Sequence, residues 1–184
     1  MSALLDWPSF TGALRLASGR PDGVERFGND VRSATRSFWA AAVAFPIYAA
    51  TVVLSWQQDR WPIAVGHSAA LETFIYLVSW AGYAVISHAL LGALGLQQRW
   101  PRFIAVWNWV NVVQYILLLL AAVPGAAHAP AMFSETCLLV AQGWALWLEW
   151  YAIRLALEVS GLQAILVMAP DVLLGLFIAA FATV

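Results

Sequence analysis

The sequence predicts an all-α integral membrane helical bundle: five transmembrane helices plus an N-terminal interfacial amphipathic helix. Three observations predict it. First, 62% of the 184 residues are hydrophobic and 10% are charged, whereas soluble domains carry roughly 25% charged residues. One small core cannot bury that much apolar surface, so the expected solvent is a bilayer. Second, apolar runs of about 20 residues, enough to cross roughly 30 Å of hydrocarbon at 1.5 Å per residue, recur along the chain. Third, all nine basic residues are Arg, and they fall almost entirely on one side of those runs.

Residues 1–36 precede the first run and form a cytoplasmic segment; residues 37–184 form the five-span bundle. The chain opens with no basic n-region and carries Asp6 inside its apolar start, so no cleavable signal peptide is expected. In "LLDWPSFTGALRLASG", Leu4, Trp7, Phe10 and Leu14 recur at helical spacing, which predicts a short helix lying in the cytoplasmic interface without crossing. "RPDGVERFGND" reads as a Gly- and Pro-punctuated loop, and Asp30 can cap a helix that runs through Arg32 and Arg36 into the bilayer.

The predicted spans are residues 37–56, 68–96, 103–123, 132–159 and 162–184. Their punctuation is "WQQDRWP", "LQQRWPR", "PGAAHAP" and "SG", the last so short that the fourth and fifth spans form a tight hairpin. Trp39, Trp56, Trp61, Trp100 and Trp107 sit near span edges, where an indole anchors at the headgroups. Alternating the loops places Arg15, Arg20, Arg26, Arg32, Arg36, Arg99, Arg102 and Arg154 on one side and Arg60 alone on the other. The positive-inside rule then sets the N-terminus in the cytoplasm and the C-terminus outside.

No P-loop, HExxH, GxSxG or dinucleotide fingerprint occurs, and the expectation is a non-enzymatic protein with no cofactor. A lipid-directed enzyme would have only Glu149, Asp171 and His88 for acid–base chemistry, with no nucleophile beside them. His67, His88 and His128 are too dispersed for a haem or zinc site, and Cys137, the single cysteine, excludes an intramolecular disulfide. The basic residues concern topology, not nucleic acid. The expected partners are the lipid bilayer and other membrane subunits or a second copy.

Polar groups inside the spans are the candidate site, because a charge at the bilayer centre costs about 2.5 to 3.5 kcal/mol even on the lenient insertion scale. At about 1.5 Å per residue, His88, Asn111, Glu149 and Asp171 all lie roughly 12 to 14 Å from the cytoplasmic ends of their spans. Asn108 and Gln142 extend that layer above and below, and Gln114 follows Asn108 and Asn111 at a three-residue interval. Small residues at intervals of four (Ala84 and Gly92 about His88; Ala141 and Ala145 before Glu149; Gly175 and Ala179 after Asp171) place these groups against neighbouring helices. Two readings stay open. In one, the amides are glue between helices, with Glu149 and Asp171 protonated or paired to Arg154 or His88; in the other, the layer is a polar cavity that binds a proton, an ion or a headgroup. Pro46 and Pro170 add kinks beside it.

An interfacial segment followed by "RSATRSFWAAAVAFPIYAA", opening the first of five closely spaced spans, resembles the YIP family of five-span membrane proteins and its uncharacterised bacterial relatives. The resemblance covers the layout from about Arg32 onward and carries over no site residue. The expected role, taken with the absence of catalytic motifs, is that of a membrane-organising or complex-partner subunit, and the expected location is a bacterial inner membrane. The alternative expectation is a small transporter or proton-coupled channel that uses the polar layer.

Overall fold

The computed structural model describes residues 6–58 and 61–182. Leu4, Arg60 and the last two residues of the fifth predicted span lie outside them. The described chain is helical, with no strand. Four helices are long and apolar enough to cross a membrane: Val31–Gln57, Val65–Ala93, Gln97–Ala126 and Gly161–Ile178.

Helix α1 (Trp7–Ala17) starts with Pro8 in its first turn, where a missing N–H costs nothing, and ends before Gly19, whose φ of 74° suits glycine. A single 3₁₀ turn, Pro21–Arg26, follows. Asp30 then caps α2 (Val31–Ser37): its carboxylate accepts from Ser33 N at 2.9 Å and Ser33 Oγ at 2.7 Å. Only Phe38 separates α2 from α3 (Trp39–Gln58), so the two make one membrane-length unit. Next come α4 (Val65–Ala93), α5 (Trp100–Ala126), α6 (Ala131–Leu157) and α7 (Gly161–Ala182).

The α6 helix matches the fourth predicted span in position and is 27 residues long. It is nevertheless less apolar than the other four, because Glu135, Gln142, Glu149 and Arg154 lie along it. Those residues are also what brought the helix into the candidate site.

The bundle is built around α5. In its membrane-length window 61% of the residues are buried, against 17%, 33% and 11% for the other three. Every residue from Phe103 to Val110 is buried. Accordingly α5 packs most extensively on α6 and α3, while α4 pairs with α7, and α7 closes onto α6.

The N-terminal segment is a cap on the end of the bundle. Ala13 and Leu16 of α1 are fully buried, and Phe10 meets Trp109 of α5 edge to face at 6.1 Å. Helix α1 lies so close to the 3₁₀ turn that a Cβ on Gly23 would sit 2.5 Å from the Gly12 carbonyl. Arg15 pairs with Asp22 at 2.6 Å, Tyr151 donates to the Gly19 carbonyl, and the Arg102 N–H donates to Asn29 Oδ1. Of the three expected membrane anchors, Phe10 therefore turns partly inward, whereas Trp7 and Leu14 remain exposed.

A carboxyl pair beside a polar cavity

Three helices bring the site together. From α5, Asn111, Gln114 and Tyr115 line a cavity of about 170 Å³; from α6 come Gln142 and Glu149. Asp171 reaches in from α7, where its Oδ2 accepts from the Trp107 indole N–H at 3.3 Å. The Glu149 carboxyl neighbours both the Asp171 carboxyl and the Trp107 indole. It is buried to 6% exposure, and its Oε1 meets no donor among the described residues. The described ion pairs are all made by arginines elsewhere, so none neutralises this pair.

The local reasons are legible. Ala145 and Ala141 are buried, and their small side chains let α6 approach α5 closely enough for Gln114 Nε2 to donate to the Ala145 carbonyl at 2.7 Å. Asn111 donates back to the Trp107 carbonyl one turn earlier, at 3.0 Å, and so stays at the cavity wall. Pro170 interrupts α7 immediately before Asp171. The Tyr83 hydroxyl donates at 3.0 Å to the Val167 carbonyl, the group whose helical partner is the amide following that proline.

Two of the expected members are elsewhere. His88 is exposed; its Nε2 lies 3.2 Å from Gln97 Nε2 and its ring meets Trp100 edge to face. Asn108 is fully buried but donates to Ser37 Oγ at 2.7 Å, toward the α2–α3 joint, leaving its own Oδ1 without a partner. The cause is helical phase. A three-residue step falls 60° short of a full turn, so Asn108 and Gln114 differ by about 120° and address different neighbours. Arg154, the expected ion-pair partner, is exposed and lies over the Trp150 ring at 5.8 Å. Gly92 and Gly175 are also exposed, so among the residues whose side chains are described the small-residue spacing marks buried positions at Ala84, Ala141 and Ala145; Ala179 lies outside them.

Trp107 and Tyr115 belong to the site although no sequence feature singled them out as such. Trp107 has the profile of an interfacial anchor, yet it is 4% exposed and wedged between Trp80 and Tyr83, with ring centroids at 5.3 and 4.7 Å. The available signal was its indole N–H, which requires an acceptor wherever it is buried in a span. From Trp80 a run of rings continues through Tyr76 to Tyr48, whose hydroxyl donates to Glu72 Oε2 at 2.6 Å. The sequence places Glu72 near the outer end of the second span, where it would be wetted; in the structure it is half-buried and hydrogen-bonded.

Among the described residues no group of His, Cys, Asp and Glu could hold a metal ion. The chain matches no protein-family model, no curated protein and no solved structure.

Proposed function

We propose that this chain is a small multi-pass transporter or proton-coupled channel whose working group is the Glu149–Asp171 pair. The observation that carries the reading is a buried glutamate, Glu149, that lines a cavity walled by amides and neighbours the half-buried Asp171, with one glutamate oxygen left without a donor among the described residues. Two carboxyls this close cannot both carry a charge in an apolar interior, so together they hold and exchange a proton. The amides of Asn111, Gln114 and Gln142 provide the polar wall against which a water, a small cation or a polar solute sits. In this reading α6 also crosses, as the fourth of five spans, Trp7 and Leu14 rest in the interface, and the arginine-rich end is cytoplasmic. The layout kinship with YIP-like proteins is part of the same proposal.

The test is proton flux. Purified protein in liposomes, under a potassium-imposed membrane potential, should change the pH of the lumen. Asp171→Asn should abolish this while the thermal melt and the elution profile stay those of the parent chain. Flux that is absent from the parent chain, or equal in the variant, rejects the reading.

A second reading, a complex-partner subunit, has its own observation. On the opposite side of the α5–α6 pair an apolar groove of about 530 Å³ runs past Leu120, Phe133, Val140 and Trp144, and Leu139 and Val140 of α6 are well exposed. That face suits lipid chains or another helix.

A further inference from the structure

At the end of the bundle where the cap sits, a second cavity of about 410 Å³ has a different chemistry. The α4–α5 turn contributes Gln98 and Arg99, the start of α5 contributes Arg102, the loop before α2 contributes Asn29, and the α6–α7 turn contributes Glu158. Glu158 bridges both guanidiniums, with Oε2 3.3 Å from Arg99 Nη2 and Oε1 3.2 Å from Arg102 Nη1. It is held there by a left-handed backbone, φ 52°, that closes α6.

The two arginines do different work. Arg99 Nη1 donates to the Leu157 and Glu158 carbonyls, which fastens the C-terminus of α6 to the start of α5. Arg102 uses only Nη1 in the described hydrogen bonds, so its Nε and Nη2 donors remain for a ligand. The Asn29 Oδ1 is occupied by the Arg102 N–H, which leaves the Asn29 amide hydrogens for an acceptor. Both guanidiniums and Glu158 are partly exposed, with side chains at 39%, 31% and 59%. The cavity therefore presents guanidinium and amide donors beside a carboxylate whose two oxygens each accept from one arginine and keep a lone pair for a further donor, with a net charge of about +1.

A bare phosphate or a plain carboxylate ligand would meet repulsion from Glu158 and leave its remaining lone pairs without a donor. A group with one negative phosphodiester and one primary ammonium satisfies both walls, because the ammonium can donate to the carboxylate while the phosphate accepts from Arg102 and Asn29. We propose that this cavity binds a phosphoethanolamine group. Its position at the end of four membrane-length helices makes a lipid headgroup the natural source, and soluble phosphoethanolamine shares the chemistry. The proposal is independent of the Glu149–Asp171 pair.

Native mass spectrometry in detergent tests it, using equal amounts of dioctanoyl phosphatidylethanolamine, phosphatidylcholine and phosphatidylglycerol, with soluble phosphoethanolamine and inorganic phosphate in separate arms. The ethanolamine lipid should be retained about tenfold over the other two, the scale of one charge-assisted hydrogen bond. Choline loses because it has no N–H, and glycerol loses because it has no cation. Glu158→Gln should erase that preference, and Arg102→Gln should lower retention of all three lipids, with the thermal melt confirming a folded chain in each case. Soluble phosphoethanolamine binding with the same Glu158 dependence identifies a free ligand, and its failure beside a bound lipid identifies a headgroup. Equal retention of the three lipids by the parent chain, an unchanged preference in Glu158→Gln, or binding of inorganic phosphate as strong as that of phosphoethanolamine overturns the proposal.

Discussion

Asn108 and Gln114 are both buried amides on α5, yet replacing each with leucine should have different consequences. Gln114→Leu removes a bond across α5 and α6 whose acceptor, the Ala145 carbonyl, keeps its own helical partner. Its cost should be about 0.6 kcal/mol, the average for such bonds between membrane helices. Asn108→Leu loses the bond to Ser37 but also removes an Oδ1 that has no donor, and the two effects oppose. Stability should then change by less than about 1 kcal/mol, in either direction. Unfolding in mixed detergent micelles measures both. Trp107→Phe is the more informative change. It keeps the ring packing on Trp80 and Tyr83 and deletes the N–H that Asp171 accepts, so it should destabilise by about 1 kcal/mol or more and impair proton flux. At this scale the sequence placed Glu149, Asp171, Asn111 and Gln142 by depth, since depth follows from counting residues along a helix, and Gln114 by its interval after Asn111. It misplaced Asn108 because counting in threes accumulates a 60° phase error at each step. His88 and Arg154 were misassigned because depth does not tell which face of a helix a side chain occupies.

The cap of α1 and its 3₁₀ turn is the element most sensitive to a small change. Gly23→Ala would push a Cβ to 2.5 Å from the Gly12 carbonyl, a backbone atom that cannot step aside. Overpacking of this kind costs typically 1 to 3 kcal/mol, so hydrogen exchange should accelerate across residues 7–30 and leave α5 protected. The cap should also respond to pH. The hydrogen bond from Arg15 holds the Asp22 carboxyl below the usual carboxylate range, and the Ser33 hydroxyl followed by the Ser33 N–H does the same for Asp30. A group whose folded-state value is depressed contributes stability above its unfolded value and loses it as the pH falls. Cap protection should therefore stay constant from pH 8 to 5 and decline below about pH 4. Asp22→Asn should be looser at neutral pH and show less of that decline. The helix over residues 7–17 was legible from its apolar spacing, as was the Asp30 cap from residue type alone. What the spacing could not tell is that Phe10 packs on Trp109 while Trp7 and Leu14 stay out: an apolar stripe looks the same whether protein or lipid covers it. For α6 the difficulty ran the other way, since the polar residues that mark the site also reduce its apolar character.

For the whole molecule, the order and extent of the long helices followed from composition and punctuation, with α4, α5, α6 and α7 beginning and ending within a few residues of expectation. The central place of α5 did not, because the membrane-length helices have similar hydropathy and pairwise packing is set by shape. Orientation is open to direct measurement. In a Cys137→Ala background, cysteines at the exposed positions Glu25 and Ala127 should react with an impermeant maleimide from opposite sides of the membrane. Reaction of both from one side contradicts the five-span arrangement. Gly23 is unsuitable for labelling, since any side chain there collides with α1. The most direct test of a working Glu149–Asp171 site is its reaction with a membrane-permeant carbodiimide, which captures a protonated carboxyl in apolar surroundings and can be mapped by peptide mass spectrometry. A proton-exchanging pair predicts a single adduct on Glu149 or Asp171, formed more slowly as the pH is raised and lost in the Glu149→Gln, Asp171→Asn double variant. An adduct found only on Glu72 or Glu135, or modification of the pair at a rate indifferent to pH, would contradict it.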